Sequence, residues 1–533
     1  MENTLSLSLL DIVVILLYFV FIFGLSLKVT NRGKFEKSED YFLAGKNLGW
    51  FLIGASIFAS NIGSEHLIGL AGSGASSGVV VSQFELLACF ILLLLGWFFV
   101  PFYLRTSVTT MPEFLELRFS KTARNYLTFV SIVAYVLTKI SVTIYAGAVV
   151  FEAIGVSFWV GAIIVVVATG IYTIFGGLRA VIYTDAAQMV VMIGGSILVT
   201  ILGLSHLGGP SELKQTLSPE FLSMWRTMSD PDFPWTGILF GAPILGVWYW
   251  CTDQYVVQRV LSARNLTEAR RGTLFAGFLK ILPLFIFVIP GMICLALSKQ
   301  GMVDLAKPDY ALPTLAAFVL PSGLRGIFIA GLLSALMSSL SSVFNSCSTL
   351  ITYEVFKRRS PNTPERKLIS IGRWSTVGLV VLGVLWIPMI GFISGGIFKY
   401  IQSVQAYISP PIAAVFLLGL LWRRINSKGA VAALYSGFVL GIARLVLEIN
   451  KDSLTEGGTL YWFAHANFLH FAAYLFAFSA ILMTVVSLIT PEQPISEVFK
   501  KKGSKPSIPT PKLDIALSVL LCLIVFFIWW YFS

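Results

Sequence analysis

Ala59-Ser60-Asn61-Ile62-Gly63-Ser64-Glu65-His66 places polar groups and a glycine at mid-depth of a run, residues 48–71, that is otherwise apolar. A second such stretch, Gly246-Val247-Trp248-Tyr249-Trp250-Cys251-Thr252-Asp253-Gln254, interrupts the run 237–259. Both read as helices that break inside a membrane. An unwound turn there offers free carbonyls to a cation and free N–H groups to a substrate. Counted along the apolar runs, the two stretches lie five runs apart. A five-helix unit repeated upside down in the membrane pairs them as equivalent first helices, the layout that marks a transporter binding site. The repeat is read from this layout, since no identity between the halves is visible.

The runs around them fix the class. The chain has 533 residues, of which 56% are hydrophobic and 12% charged, and its mean hydropathy is +0.83. A soluble domain carries about 25% charged residues, so these values indicate an all-α membrane protein. Fourteen runs are long enough to span: 9–27, 48–71, 83–104, 125–151, 157–176, 182–206, 237–259, 272–298, 323–353, 374–394, 398–421, 429–447, 468–490 and 513–532. The first is no cleaved signal, because its basic cluster follows it and no small-residue cleavage site does. One set of alternate loops, with Arg259 at its edge, holds 28 of the 38 basic residues, and the opposite set holds 5. The positive-inside rule then puts both termini outside or in the periplasm. That bias accounts for the net charge of +11, and nothing supports nucleic-acid binding. The five cysteines sit in apolar runs as small packing residues. No phosphate-binding loop, dinucleotide fingerprint or nucleophile elbow occurs, which argues against an ATP-driven pump and against an enzyme.

Ionisable groups within the runs are Glu65, His66, Glu85, Lys139, Asp185, Asp253, Lys280 and Lys399. Such groups are costly in a bilayer and usually functional. His66, Glu85, Tyr249 and Gln402 fall in the middle to outer half of their runs, and Lys280 approaches the midplane. Sugar hydroxyls both donate and accept, so a sugar site wants carboxylate and amide acceptors, His, Lys and Asn donors, and an aromatic face. Glu85 and Lys280 read equally as a structural ion pair, and Tyr249-Trp250 as plain packing. Ser338-Ser339-Leu340-Ser341-Ser342 reads either as close helix packing or as a site for a hard cation that takes oxygen ligands. Asp185 lies at a depth similar to the inner end of that serine run, where it suits a cation-release site.

At these residues the chain resembles the sodium:solute symporter family, most closely its sodium/glucose cotransporter branch. The resemblance rests on Asp40–Lys46, Gly54–Gly72, Gly176–Asp185, Tyr249–Gln254, Met337–Leu340, Tyr400–Ser403 and Pro410–Gly419, and covers about residues 10–490. It implies a LeuT-type five-plus-five inverted repeat, 48–206 and 237–421, within fourteen transmembrane helices. The extra helices are N- and C-terminal, and a cytoplasmic linker at 491–512 precedes the last one. It implies sugar contacts by Asn61, His66, Glu85, Tyr249, Trp250, Lys280 and Gln402, with Phe84 an outer gate and Tyr249 an inner one. It implies a Na⁺ site from the carbonyls of Ala59, Ile62 and Ala335 with the hydroxyls of Ser338 and Ser339. A second Na⁺ site is implied at Asp185, Ser341 and Ser342, hence two Na⁺ per sugar. Lys399, where the animal glucose members have Asp, and Gly246, where others have a polar residue, depart from the pattern. The expected activity is Na⁺-coupled uptake of a neutral monosaccharide, glucose or galactose, across the cell membrane. Myo-inositol or another solute, and a sugar sensor or channel, are the alternatives. No arginine is placed to clamp a substrate carboxylate.

Overall fold

The computed structural model describes residues 7–31, 35–63, 65–140, 142–144, 147, 151, 155–390, 397–493 and 511–533. Among them the chain is helical, with two isolated bridges, Leu48 with Ala263 and Arg226 with Pro234, and no strand. Among the described residues, ten helices are long and apolar enough to cross a bilayer. Helix is present in each of the fourteen runs, continuously described only to Ile140 in the run 125–151. The side chains of Glu65 and Lys399, and residues 494–510 of the expected linker, lie outside the described residues.

Both anticipated breaks occur. The Trp50–Asn61 helix stops because Ile62 leaves helical geometry (φ −76°, ψ 86°), and the Gly63 N–H turns back to the Asn61 carbonyl at 2.9 Å. The chain resumes as a wide turn, Glu65–Leu70. In the second stretch the wide turn Val247–Thr252 comes first, and Asp253 is extended (φ −79°, ψ 129°). The Asp253 carboxylate caps the following helix, Gln254–Leu261, by accepting the Tyr255 N–H at 3.2 Å. Such a cap satisfies a backbone donor that the break has orphaned.

A third interruption was not read from the sequence. The run 272–298 is bent where the Leu266–Leu279 helix ends at Lys280 and Pro283 precedes the wide turn Leu284–Val288. Proline has no N–H for the carbonyl four residues back, so the ladder cannot continue through it. The runs 157–176 and 182–206, in contrast, form one helical stretch, Phe158–Leu207, folded at Gly177 (φ 54°, ψ −163°). Fifty residues of straight helix would be about 75 Å long, more than twice a hydrocarbon core. A Cβ at Gly177 would lie 2.6 Å from the Tyr41 carbonyl oxygen. Gly177→Ala therefore combines a glycine-only conformation with a backbone clash, and should cost about 2–3 kcal/mol. A melting midpoint in detergent unchanged from the wild type would contradict this account.

The central Leu324–Leu350 helix is buried along almost its whole length, whereas the Leu9–Asn31 and Lys512–Tyr531 helices are mostly exposed. Its N-terminus is held by Asp11, whose Oδ1 accepts the Gly323 and Gly326 N–H groups at 2.7 Å each. The last helix, Lys512–Tyr531, clasps two inner helices from outside. Asp514 accepts Arg271 Nε at 2.8 Å, Ser518 accepts Trp97 Nε1 at 3.0 Å, and Trp529 Nε1 donates to Gln83 at 2.6 Å. The clasped helices, Gln83–Leu94 and Leu266–Leu279, lead to Glu85 and Lys280.

Candidate functional site

The two breaks face one cleft of about 850 Å³, counted out to its open mouth. Asn61, His66, Phe84, Glu85, Tyr249, Trp250 and Gln402 all line it. Lys280 stands behind the wall, 1% exposed, and joins the lining residues to one another. Its ammonium donates to the Glu85 carboxylate and, at 2.6 Å, to Asn61 Oδ1. Asn61 Nδ2 donates in turn to the Tyr249 hydroxyl at 3.0 Å. On the other side of Glu85, His66 Nε2 lies 3.2 Å from Oε1. The Lys280 ammonium also sits 5.2 Å from the Trp250 ring centroid, within cation–π range. The result is one unbroken chain of polar contacts, His66–Glu85–Lys280–Asn61–Tyr249, drawn from four separate stretches of sequence. Breaking the helix at Lys280 lets that lysine end a helix rather than lie flat along one.

Lys139, Thr143 and Gln405 add to the polar lining, and the sequence reading gave them no place in the site. Their spacing carried a signal. Thr143 follows Lys139 by four residues and Gln405 follows Gln402 by three, which places each pair on one helix face. Gly246 also lines the cleft, and a Cβ there would meet Ile91 Cγ1 at 3.1 Å. The absent side chain therefore leaves room where the cleft is otherwise tight. Phe84 packs edge-on against Phe233, with centroids 6.2 Å apart.

The serines and Asp185 form a second, drier cluster between the first broken helix, the central helix and the leg after Gly177. Ala59, Ile62 and Ala335 are each buried there. Ser339 Oγ donates to the Ser60 carbonyl at 2.9 Å, which joins the central helix to the end of the broken one. Ser338 sides with Asp185 instead, donating to Oδ1 at 2.6 Å, while Ser56 donates to Oδ2 at 2.6 Å. Ser341 and Ser342, the hydroxyls of the implied second Na⁺ site, are hydrogen-bonded within the same cluster. Ser341 donates to the Ser338 carbonyl at 3.0 Å, and Ser342 accepts from the Arg259 guanidinium. The sequence reading placed Arg259 at the edge of an inner loop. It is instead fully buried, with Nη2 3.6 Å from Asp185 Oδ2 and Nε donating to Ser56 at 2.8 Å. A guanidinium enters a dry core only with a carboxylate and several acceptors to receive it, and Asp185, Ser56, Ser342 and the Tyr255 carbonyl do so.

A helical fold with broken helices around a central polar cleft is that of a solved membrane transporter. Over 91% of this chain and 99% of the other, the structure superposes on a substrate-bound, outward-open Na⁺-coupled sialic acid symporter, with a TM-score of 0.79 and 22% identity. This likeness is one of fold. The sodium:solute symporter family matches residues 41–437, and the chain belongs to that family. It is 40% identical to the mouse sodium/glucose cotransporter 4, over 91% of this chain and 76% of the relative. It is also 40% identical to the human sodium/myo-inositol cotransporter 2, over 92% of this chain and 78% of the relative. The protein is accordingly a multi-pass membrane symporter that couples sodium to a solute.

Proposed function

We propose that this symporter imports a neutral hexose, glucose or galactose, with sodium. The observation that carries the reading is the chain His66–Glu85–Lys280–Asn61–Tyr249 beside a cleft that Gln402 also lines. It alternates acceptors and donors along one wall, as a ring of hydroxyls requires. Trp250 and Tyr249 supply the apolar face. The ionised groups balance, Glu85 against Lys280 and Asp253 against Lys139, so a neutral solute leaves no charge unmatched. Myo-inositol, a neutral ring of hydroxyls, is the second reading, favoured by the equal identity to the inositol relative.

In this reading the chain crosses the membrane fourteen times with both termini outside. Residues 48–206 and 237–421 are the inverted LeuT-type repeats, each opening with one of the two breaks. Phe84 shields the cleft from outside and Tyr249 from within. One Na⁺ is held by the carbonyls of Ala59, Ile62 and Ala335 with Ser338 and Ser339. Asp185, with Ser341 and Ser342, takes a second once Arg259 releases it. Sodium pulls the first broken helix against the central one and favours the outward-open cleft. Sugar then closes it, and inward opening releases both. Each charge moved through 100 mV supplies about 2.3 kcal/mol, and a tenfold sugar gradient requires about 1.4 kcal/mol.

The test is uptake into proteoliposomes carrying an inward sodium gradient, with glucose, galactose, myo-inositol and proline compared. Glucose or galactose should accumulate only when sodium is present, and two charges should enter per sugar. Preferential uptake of myo-inositol would move the assignment to the second reading. One charge per sugar would remove the second sodium.

A further inference from the structure

Lys139 has no part in the sugar contacts described above, yet it lines the cleft among an unusual set of neighbours. Its ammonium is 3.2 Å from Asp253 Oδ2. It is also 3.7 Å from the Tyr255 ring centroid, 4.4 Å from that of Tyr249 and 5.4 Å from that of Tyr135. Three aromatic faces and one carboxylate around an ammonium make a cage that favours a fixed positive charge.

Each wall of the cage leads to a moving part. Asp253 is the extended residue at which the second broken helix stops, and it caps the helix that follows. Its Oδ1 also accepts the Tyr135 hydroxyl, so the carboxylate is gripped from the Lys139 side twice. Tyr255 donates its hydroxyl to the Ser60 carbonyl, at the end of the first broken helix. Tyr249 accepts from Asn61, which belongs to that same helix end. Residues Tyr135–Ile140, which carry Lys139, form a third element outside both breaks. Lys139 therefore touches the segments that tie the two broken helices together, and it lies against Tyr249, the inner gate of the transport reading.

We propose that Lys139 is a positioning residue that locks the inner face of the sugar cleft, and that inward opening proceeds by rupture of its tie to Asp253. The proposal rests on the transport reading above and adds to it the element that holds the inner side shut. With the tie intact, Tyr249 is held between Asn61 and the ammonium, in the orientation that presents its ring to the cleft. Once the tie is broken, Tyr249 and Tyr255 lose their common cation and the two breaks can part. A closed inner side is a condition for binding sugar from outside, so the tie acts on affinity through the share of molecules that are competent to bind.

The test uses the full chain in proteoliposomes with Lys139→Met, Lys139→Arg, Asp253→Asn and the Met–Asn double variant. Asparagine is as good a helix cap as aspartate, so Asp253→Asn removes the charge while keeping the cap. It gives a second route to the same tie if Lys139→Met does not fold. Lys139→Met and Asp253→Asn should each raise the apparent sugar KM about tenfold or more, because they depopulate the competent state. Hydrogen exchange across residues 249–262, measured with saturating sodium and sugar, should quicken in both. Lys139→Arg should hold both readouts near the wild type, and the double variant should be no worse than the poorer single one. Unchanged exchange in Lys139→Met, or fully additive effects in the double variant, would overturn the proposal. Wild-type protein that takes up no sugar under a sodium gradient would instead overturn the transport reading, so the two failures are distinct.

Discussion

Lys280→Met will reduce sodium-driven solute uptake by about two to three orders of magnitude, because it leaves a buried carboxylate without its cation. Glu85 is 4% exposed and relies on the Lys280 ammonium, with His66 at 3.2 Å as its other near partner. Removing one member of such a buried pair costs about 3–5 kcal/mol, far more than the pair itself contributes. The same change frees Asn61 Oδ1, and through Asn61 the Tyr249 hydroxyl loses its fixed donor. Methionine approximates the length and apolar bulk of the lysine stem, so packing on Trp250 is largely kept and the loss reports on the charge. Uptake should be measured beside the melting midpoint. Wild-type uptake by a well-folded Lys280→Met would show that the polar wall is not the sugar site.

Asp185→Asn is expected to have the other large effect, on sodium. The substitution retains an oxygen for Ser338 or Ser56, both at 2.6 Å in the wild type, but removes the only carboxylate that an ion-pair contact gives Arg259 among the described residues. A guanidinium that is 0% exposed then has no matching negative charge. The half-saturating sodium concentration should rise by about tenfold or more and the melting midpoint should fall, as for any broken buried pair. On the proposed two-sodium reading, two charges per solute should become one. If Asp185→Asn keeps the wild-type sodium dependence and charge ratio, Asp185 serves only to neutralise Arg259. Combining it with Arg259→Gln separates the two roles, since the double variant relieves the buried charge and leaves only the loss of a cation ligand.

The membrane class, the helical content and the two breaks were legible in the sequence because each is a local property. Asn-Ile-Gly-Ser inside an apolar run announces a break at Ile62, and the structure puts it there. Part of the lining was legible for a different reason: His66, Glu85, Tyr249 and Gln402 are polar groups at mid-depth, which usually serve a function, whereas Phe84 and the full set of contacts came only from the family resemblance. Pairings were much less legible. Lys139 stood out as an intramembrane charge, but its partner Asp253 is 114 positions away and nothing local links them. Arg259 was obscured by its position at the end of an apolar run, where a basic residue ordinarily marks the cytoplasmic boundary. Only the fold, which brings it to Asp185, shows that it faces inward. The bend at Lys280 had a visible cause in Pro283, yet hydropathy averages over a proline and reads the run as continuous.

The clasp of the last helix on its two neighbours divides the polar wall of the cleft into two parts. Glu85 and Lys280 belong to helices that Asp514, Ser518 and Trp529 hold from outside, whereas Asn61 and Tyr249 belong to the broken helices. The hydrogen bond from Lys280 to Asn61 is where these two parts meet. A solute seated there straddles a seam, with one hand on a stator and the other on a rotor. Cargo that grips both sides travels with the stroke, and a molecule that grips only the stator becomes a blocker.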